Sequence, residues 1–169
     1  MRIMRSVSRF LCSAAAVLGC NAVADAATTA PVTFDVTLTI VDECTTVAPS
    51  TLVFGNVGVI VGTETATTTV AVHCTTGTGY NIGLDGGLNG DTTTRVMVGP
   101  QPAASSSVSY KLFQDNTYST NWGNAVGSDT KSGTGNGAVQ NHTVYGKLIV
   151  QNSPVAGDYL DTITLVVTY

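Results

Sequence analysis

Tyr159-Leu-Asp-Thr-Ile-Thr-Leu-Val-Val-Thr-Tyr169 alternates with period two, the signature of a β-strand. Tyr159, Asp161, Ile163, Leu165, Val167 and Tyr169 fall on one face, and the residues between them fall on the other. An amphipathic helix would repeat its apolar residues every three to four positions instead. Pro154 and Gly157 place a turn just before this run. Inward-facing apolar side chains on such a strand need a cover, because a long apolar strand left open to water is an aggregation hazard.

The same alternation recurs upstream. Phe34, Val36, Leu38 and Ile40 share one face, with Thr33, Asp35, Thr37 and Thr39 opposite. Thr51–Phe54 reads as a short strand after the Pro49-Ser50 turn. Val70, Val72 and Cys74 lie on one side of the next strand, and Tyr80, Ile82 and Leu84 alternate before the Asp85-Gly86-Gly87 turn. Further candidates are Arg95–Val98, Val108–Phe113, Tyr118–Trp122 and Val144–Val150. Gly123–Gly137 carries five glycines and almost nothing apolar, so it reads as a flexible surface loop. No segment beyond the first 26 residues carries an apolar stripe at helical spacing. Short strands with turn signals roughly every ten residues predict an all-β, immunoglobulin-like sandwich.

Residues 1–26 predict a cleaved signal peptide. Arg2, Arg5 and Arg9 precede an apolar run from Phe10 to Val23, and Ala24-Asp25-Ala26 supplies the small residues of a cleavage site. Val17-Leu-Gly-Cys20 offers an alternative, a lipoprotein box with Cys20 lipidated. Cleavage before Ala27 leaves four basic residues (Arg95, Lys111, Lys131, Lys147) against ten acids, a formal charge of about −6. A sparsely charged acidic domain gains nothing from phosphate counterion release, which excludes nucleic acid as an expected partner. Cys44 and Cys74 then remain as one pair in an oxidising compartment and predict a single disulfide.

Catalytic and metal chemistry find no support. His73 should point away from Cys74 into solvent, and His142 has no acid–nucleophile neighbours. Asp158 and Asp161 read as solubilising charge on a solvated edge. Gly83–Asp91 lacks the acid spacing and bidentate glutamate of a calcium loop. Asn141-His-Thr143 fits a glycosylation sequon and carries little weight. Tyr118 and Trp122 could form an exposed aromatic patch or sit in a core or subunit contact. The expectation is a non-enzymatic domain with no cofactor and no metal.

The ordered set Phe34–Ile40 leading to Cys44, Leu52-Val-Phe-Gly55, Val70-Ala-Val-His-Cys74, Tyr80–Gly86, Val108–Phe113, Trp122-Gly123, Val144-Tyr-Gly146 and the ending Gly157–Tyr169 resembles the spore coat protein U domain family. Its members are subunits of archaic, Csu-type chaperone–usher pili. The resemblance implies an incomplete sandwich completed by a donor strand, a periplasmic chaperone that fills the gap in transit, an outer-membrane usher, and identical or homologous pilus subunits as partners. It divides the chain into a signal peptide (1–26), a donor segment (27–41) and the pilin-type domain (42–169). Phe34, Val36, Leu38 and Ile40 become the donor residues. Ile163, Leu165, Val167 and Tyr169 become the last strand beside the acceptor groove, with the Tyr169 carboxylate held by basic residues of the chaperone. The implied function is a structural subunit of a pilus or surface coat, exported through the periplasm to the cell surface, polymerising by donor-strand exchange and supporting attachment or biofilm. The alternative is a self-complemented, monomeric secreted adhesin or lipoprotein that pairs Phe34–Ile40 in its own sheet.

Overall fold

The computed structural model describes residues 27–100 and 106–169, so the predicted signal segment lies outside the described residues. The chain divides into two units, Met1–Leu38 and Thr39–Tyr169. In the first, residues 27–38 form neither helix nor strand, and Phe34, Val36 and Leu38 are each 86% exposed.

Among its described residues the second unit holds eight strands: β1 (Cys44–Val47), β2 (Thr65–Cys74), β3 (Gly79–Leu84), β4 (Arg95–Val98), β5 (Ser107–Phe113), β6 (Lys131–Thr134), β7 (Val139–Leu148) and β8 (Leu165–Thr168). They form a five-stranded sheet in the order β1-β2-β7-β5-β4 and a three-stranded sheet in the order β6-β3-β8. Every pairing is antiparallel. Each sheet turns alternate residues inward: Val70, Val72 and Cys74 from β2, Val108, Tyr110 and Leu112 from β5, Val144 and Leu148 from β7, and Tyr80, Ile82 and Leu84 from β3. These merge into one buried cluster, the arrangement of a sandwich.

Cys44 and Cys74 sit opposite each other in the β1–β2 ladder and are joined by a disulfide. A cross-link closing a loop of 30 residues contributes about 3–4 kcal/mol on a chain-entropy estimate. Trp122 is fully buried, and its indole N–H donates to the Ile82 carbonyl at 2.9 Å. That hydrogen bond lets a large polar-tipped ring serve as core rather than as a surface patch.

Three local expectations are corrected. The glycine-rich segment 123–137 is not one surface loop, because it contains β6, which pairs with Gly79–Ile82 of β3 and sets Gly133 opposite Tyr80. Gly133 makes this possible: any side chain there would collide with the Tyr80 ring. Tyr118–Trp122 is a turn with a single bridge, Phe113 to Asn121, rather than a strand. The Asp115 carboxylate accepts from the backbone N–H groups of Thr117, Ser119 and Thr120, and this closure outcompetes a ladder. The strand expected at 144–150 starts earlier, at Val139, because β2 runs ten residues and offers partners along most of its length.

Candidate functional site: an open apolar groove

Two stretches that alternate like strands have no continuous ladder of their own. Thr51–Phe54 alternates exposed and half-buried residues, with Leu52 and Phe54 turned toward the core, yet it belongs to neither sheet. Tyr159–Thr164 alternates in the same way, but among the described residues its backbone ties are the bridge between Leu160 and Val98 and the Asp85 N–H donating to the Thr164 carbonyl at 3.0 Å. Only the final Leu165–Thr168 of the predicted last strand pairs, with β3. A strand-like segment without a ladder leaves its N–H and C=O groups to water or to another chain.

Between these stretches lies an open cavity of about 910 Å³. Leu52 and Phe54 form one wall, Tyr159 and Ile163 the other, and Met97, Val108, Leu112, Val144 and Leu148 lie beneath. The floor residues Val108, Leu112, Val144 and Leu148 are fully buried, while the wall residues are only half covered. The cover over the core is thus thin along this line. The opening is long and apolar, the shape that one more strand with inward apolar side chains would fill.

Gly146 fixes the near wall. It is the one inward position of β7 between Val144 and Leu148 that lacks a side chain, and an added Cβ would stand 3.0 Å from both Leu52 methyls and 3.1 Å from Phe54 Cζ. The absent Cβ lets Leu52 and Phe54 settle onto the sheet. Phe54 meets Tyr110 edge-on, with ring centroids 6.1 Å apart.

The far wall is pinned by polar contacts. Asp161, expected as solvated charge, is half-buried and accepts the Tyr110 hydroxyl at 2.7 Å and the Leu88 N–H at 2.9 Å. Burial and the neighbouring Asp161 carboxylate push the Tyr110 hydroxyl far above its ordinary range, so it remains a donor at every physiological pH. Asp85 accepts the Thr164 N–H at 2.9 Å and the Gly87 N–H at 3.0 Å. Burial works to raise the Asp85 carboxyl, but hydrogen bonds from Thr164 and Gly87 and the charge of Arg95 outweigh it and hold it low. These contacts hold the 159–164 segment in place although its ladder is incomplete.

Behind that wall lies Arg95, fully buried on β4. Its guanidinium donates to the carbonyls of Leu84, Asp85, Thr92 and Trp122 at 2.8–3.1 Å. Burial lowers its affinity for the proton, and the surrounding acids, Asp85 among them, oppose that. A buried cation is tolerated when its donors are satisfied in this way.

Of the residues singled out from the sequence, Ile163 lines the groove, while Leu165 and Val167 pack half-buried on the same face of β8. Tyr169 lies beyond β8 and is 59% exposed. The sequence reading missed Leu52 and Phe54 as a wall, and it missed Arg95. The first was signalled by Gly146, a glycine inside a strand pattern, which marks close approach of another segment. Arg95 carried no such signal. His73 is exposed as expected, whereas His142 is half-buried beside Tyr80, whose hydroxyl lies 2.9 Å from its Nε2.

Comparison with known proteins agrees with this architecture. The model of the Spore Coat Protein U domain family matches residues 30–166. No curated protein matches the chain. Among solved structures it resembles a chain of the CsuC-CsuE chaperone–tip adhesion subunit pre-assembly complex from the archaic chaperone–usher Csu pili of Acinetobacter baumannii. The two are 21% identical with a TM-score of 0.56, over 78% of this chain and 41% of that chain. The likeness is one of fold, and this chain spans about two fifths of the other's length. Matched by the family model over most of its length, the chain belongs to the spore coat protein U domain family.

Proposed function

We propose that the protein is a structural subunit of a chaperone–usher pilus or surface coat, joined to its neighbours by donor-strand exchange. The observation that carries this reading is the groove between Leu52–Phe54 and Tyr159–Ile163, together with a segment of matching character in the same chain. Phe34, Val36, Leu38 and Ile40 are 74–86% exposed on one face of Ala27–Val41. Inserted into the groove of another copy, they would bury four large side chains at about 1.5–3 kcal/mol each before entropic costs. The backbone groups of the two unladdered walls would gain partners in the same step.

On this reading the acceptor face consists of Ile163, Leu165 and Val167 with Leu52 and Phe54 opposite. A periplasmic chaperone covers the groove before assembly, an outer-membrane usher exports the subunit, and the fibre stands on the cell surface. Family membership and the fold shared with a chain of the Csu complex support these assignments. The mechanism is non-covalent and non-enzymatic.

Deleting residues 27–41 tests it. The truncated subunit should still bind chaperone and accept a donor, yet fail to extend a fibre, as read by electron microscopy and by heat-resistant ladders on gels. Normal polymerisation by the deletion variant would sink the proposal. A stable, chaperone-independent monomer of the intact chain in size-exclusion chromatography would favour the self-complemented alternative.

A further inference from the structure

We propose that the outer face of the five-stranded sheet binds a carboxylate-bearing sugar, the repeating unit of an acidic polysaccharide, through Lys111 and Lys147 beside the ring of Tyr118. Lys111 on β5 and Lys147 on β7 are direct cross-strand partners. Like charges directly opposite each other destabilise a sheet. The placement is conspicuous in a domain with so few cations. Neither ammonium has an ion-pair carboxylate among the described residues.

The surroundings are built rather than incidental. Tyr118 has φ 56°, the only positive φ outside glycine among the described residues. The turn closed on Asp115 holds it there. A residue kept in that sparsely populated region is a pointer to function. The effect is to lay Tyr118 across the outer sheet face, edge-on to Phe113 (5.6 Å) and Tyr145 (6.4 Å). Lys147 Nζ stands 5.2 Å from the Tyr118 ring centroid. A cavity of about 270 Å³ opens here, lined by Lys111, Phe113, Tyr118 and Lys147 with Gly62 and Val150 at its edge.

A uronic acid matches both halves of this chemistry. The C–H face of a pyranose packs on aromatic and aliphatic surface, and its carboxylate takes charge-assisted hydrogen bonds from the two ammonium groups. An aspartate or glutamate side chain from another protein would satisfy the lysines but leave the aromatic surface and most of the volume unused. The proposal gains its strength from the pilus reading: a fibre repeats a weak site at every subunit, and a polymer spanning several sites binds far more tightly than one sugar.

The test is made on the exported chain with its groove filled by excess donor peptide spanning residues 30–41, so it depends neither on a stable free monomer nor on fibre formation. Amide NMR spectra of residues 27–169 are titrated with trigalacturonate, with neutral maltotriose and with triglutamate. Trigalacturonate should shift signals around Lys111, Tyr118 and Lys147. Lys111→Gln and Lys147→Gln should each weaken it about two- to fivefold, with otherwise unchanged spectra. Tyr118→Ala should weaken trigalacturonate while leaving any triglutamate contact unaltered. Equal binding of maltotriose or triglutamate would overturn the proposal, as would affinity that survives the double lysine substitution. A chain that binds trigalacturonate but does not polymerise refutes the pilus reading alone.

Discussion

Truncation along the donor segment provides the sharpest test of the groove. Leu38 is 86% exposed in the free segment, so nearly all of its side-chain burial would be gained on insertion. Leu38→Ala removes that gain and leaves a void among the groove's apolar residues. By analogy with buried leucines, the cost is about 2–5 kcal/mol. Because about 1.4 kcal/mol corresponds to a tenfold change in affinity, the substitution should weaken donor binding roughly 30- to 3,000-fold. Thr37 and Thr39 lie on the opposite face and should remain in solvent. Replacing either by alanine should cost less than about 0.5 kcal/mol. The assay is fluorescence anisotropy of labelled peptides spanning residues 30–41, bound to a subunit that lacks residues 27–41. The expected pattern is strict alternation: large losses at 34, 36, 38 and 40, and small ones at 35, 37 and 39. A flat profile, or losses at Thr37 equal to those at Leu38, would refute insertion as a strand. Ile163→Asp in the subunit should abolish binding of the intact peptide if the groove is the receptor.

Other perturbations probe how the groove is held open. Gly146→Val should lift Leu52 and Phe54 off the sheet and destabilise the subunit by about 1–3 kcal/mol, measured by urea unfolding in the presence of donor peptide; an unchanged midpoint would show that this wall is not packed as described. Arg95→Met strands the carbonyls of Leu84, Asp85, Thr92 and Trp122 and should cost about 3 kcal/mol or more, with Arg95→Lys recovering only part of it. Burial holds His142 below its ordinary pKa of 6.5, with Lys131 adding to the effect. The unfolded chain therefore takes up that proton first. The contribution is complete above about pH 6.5 and is lost as the pH falls toward the depressed folded value, so stability should decline between neutral and mildly acidic pH. His142→Gln should flatten this slope in thermal unfolding scans. Replacing Cys44 and Cys74 by serine should cost about 3–4 kcal/mol in chemical denaturation.

On the proposed reading, the groove is the place where a donor strand would complete the sandwich. A finished sandwich covers its core with strands on every side, whereas here the cover stops at two unladdered walls. Asp161, Asp85 and Thr164 hold the far wall by side-chain contacts, and Gly146 admits the near wall by its missing Cβ. Both walls are preformed, so a donor need order only itself, which lowers the entropic cost of association.

What the sequence determined by itself was everything carried by period-two alternation and by cysteine arithmetic. Inward residues of β2, β3 and β5 were legible because burial on one face selects apolar side chains at every second position, whatever the partner strand. The Cys44–Cys74 pairing was legible because only two cysteines follow the predicted signal segment. Alternation cannot say, however, whether a strand has neighbours. Thr51–Phe54 and Tyr159–Thr164 read like any paired strand, yet they flank a gap that exists only once both sheets are assembled. Asp161 looked like surface charge, because its partner is a tyrosine hydroxyl 51 residues away, and nothing in the sequence pointed to the burial of Arg95 against four carbonyls. The glycines of 123–137 looked like slack, and Gly133 proved to be clearance for Tyr80. In each case the sequence set a residue's own preference, and tertiary structure decided what it faced.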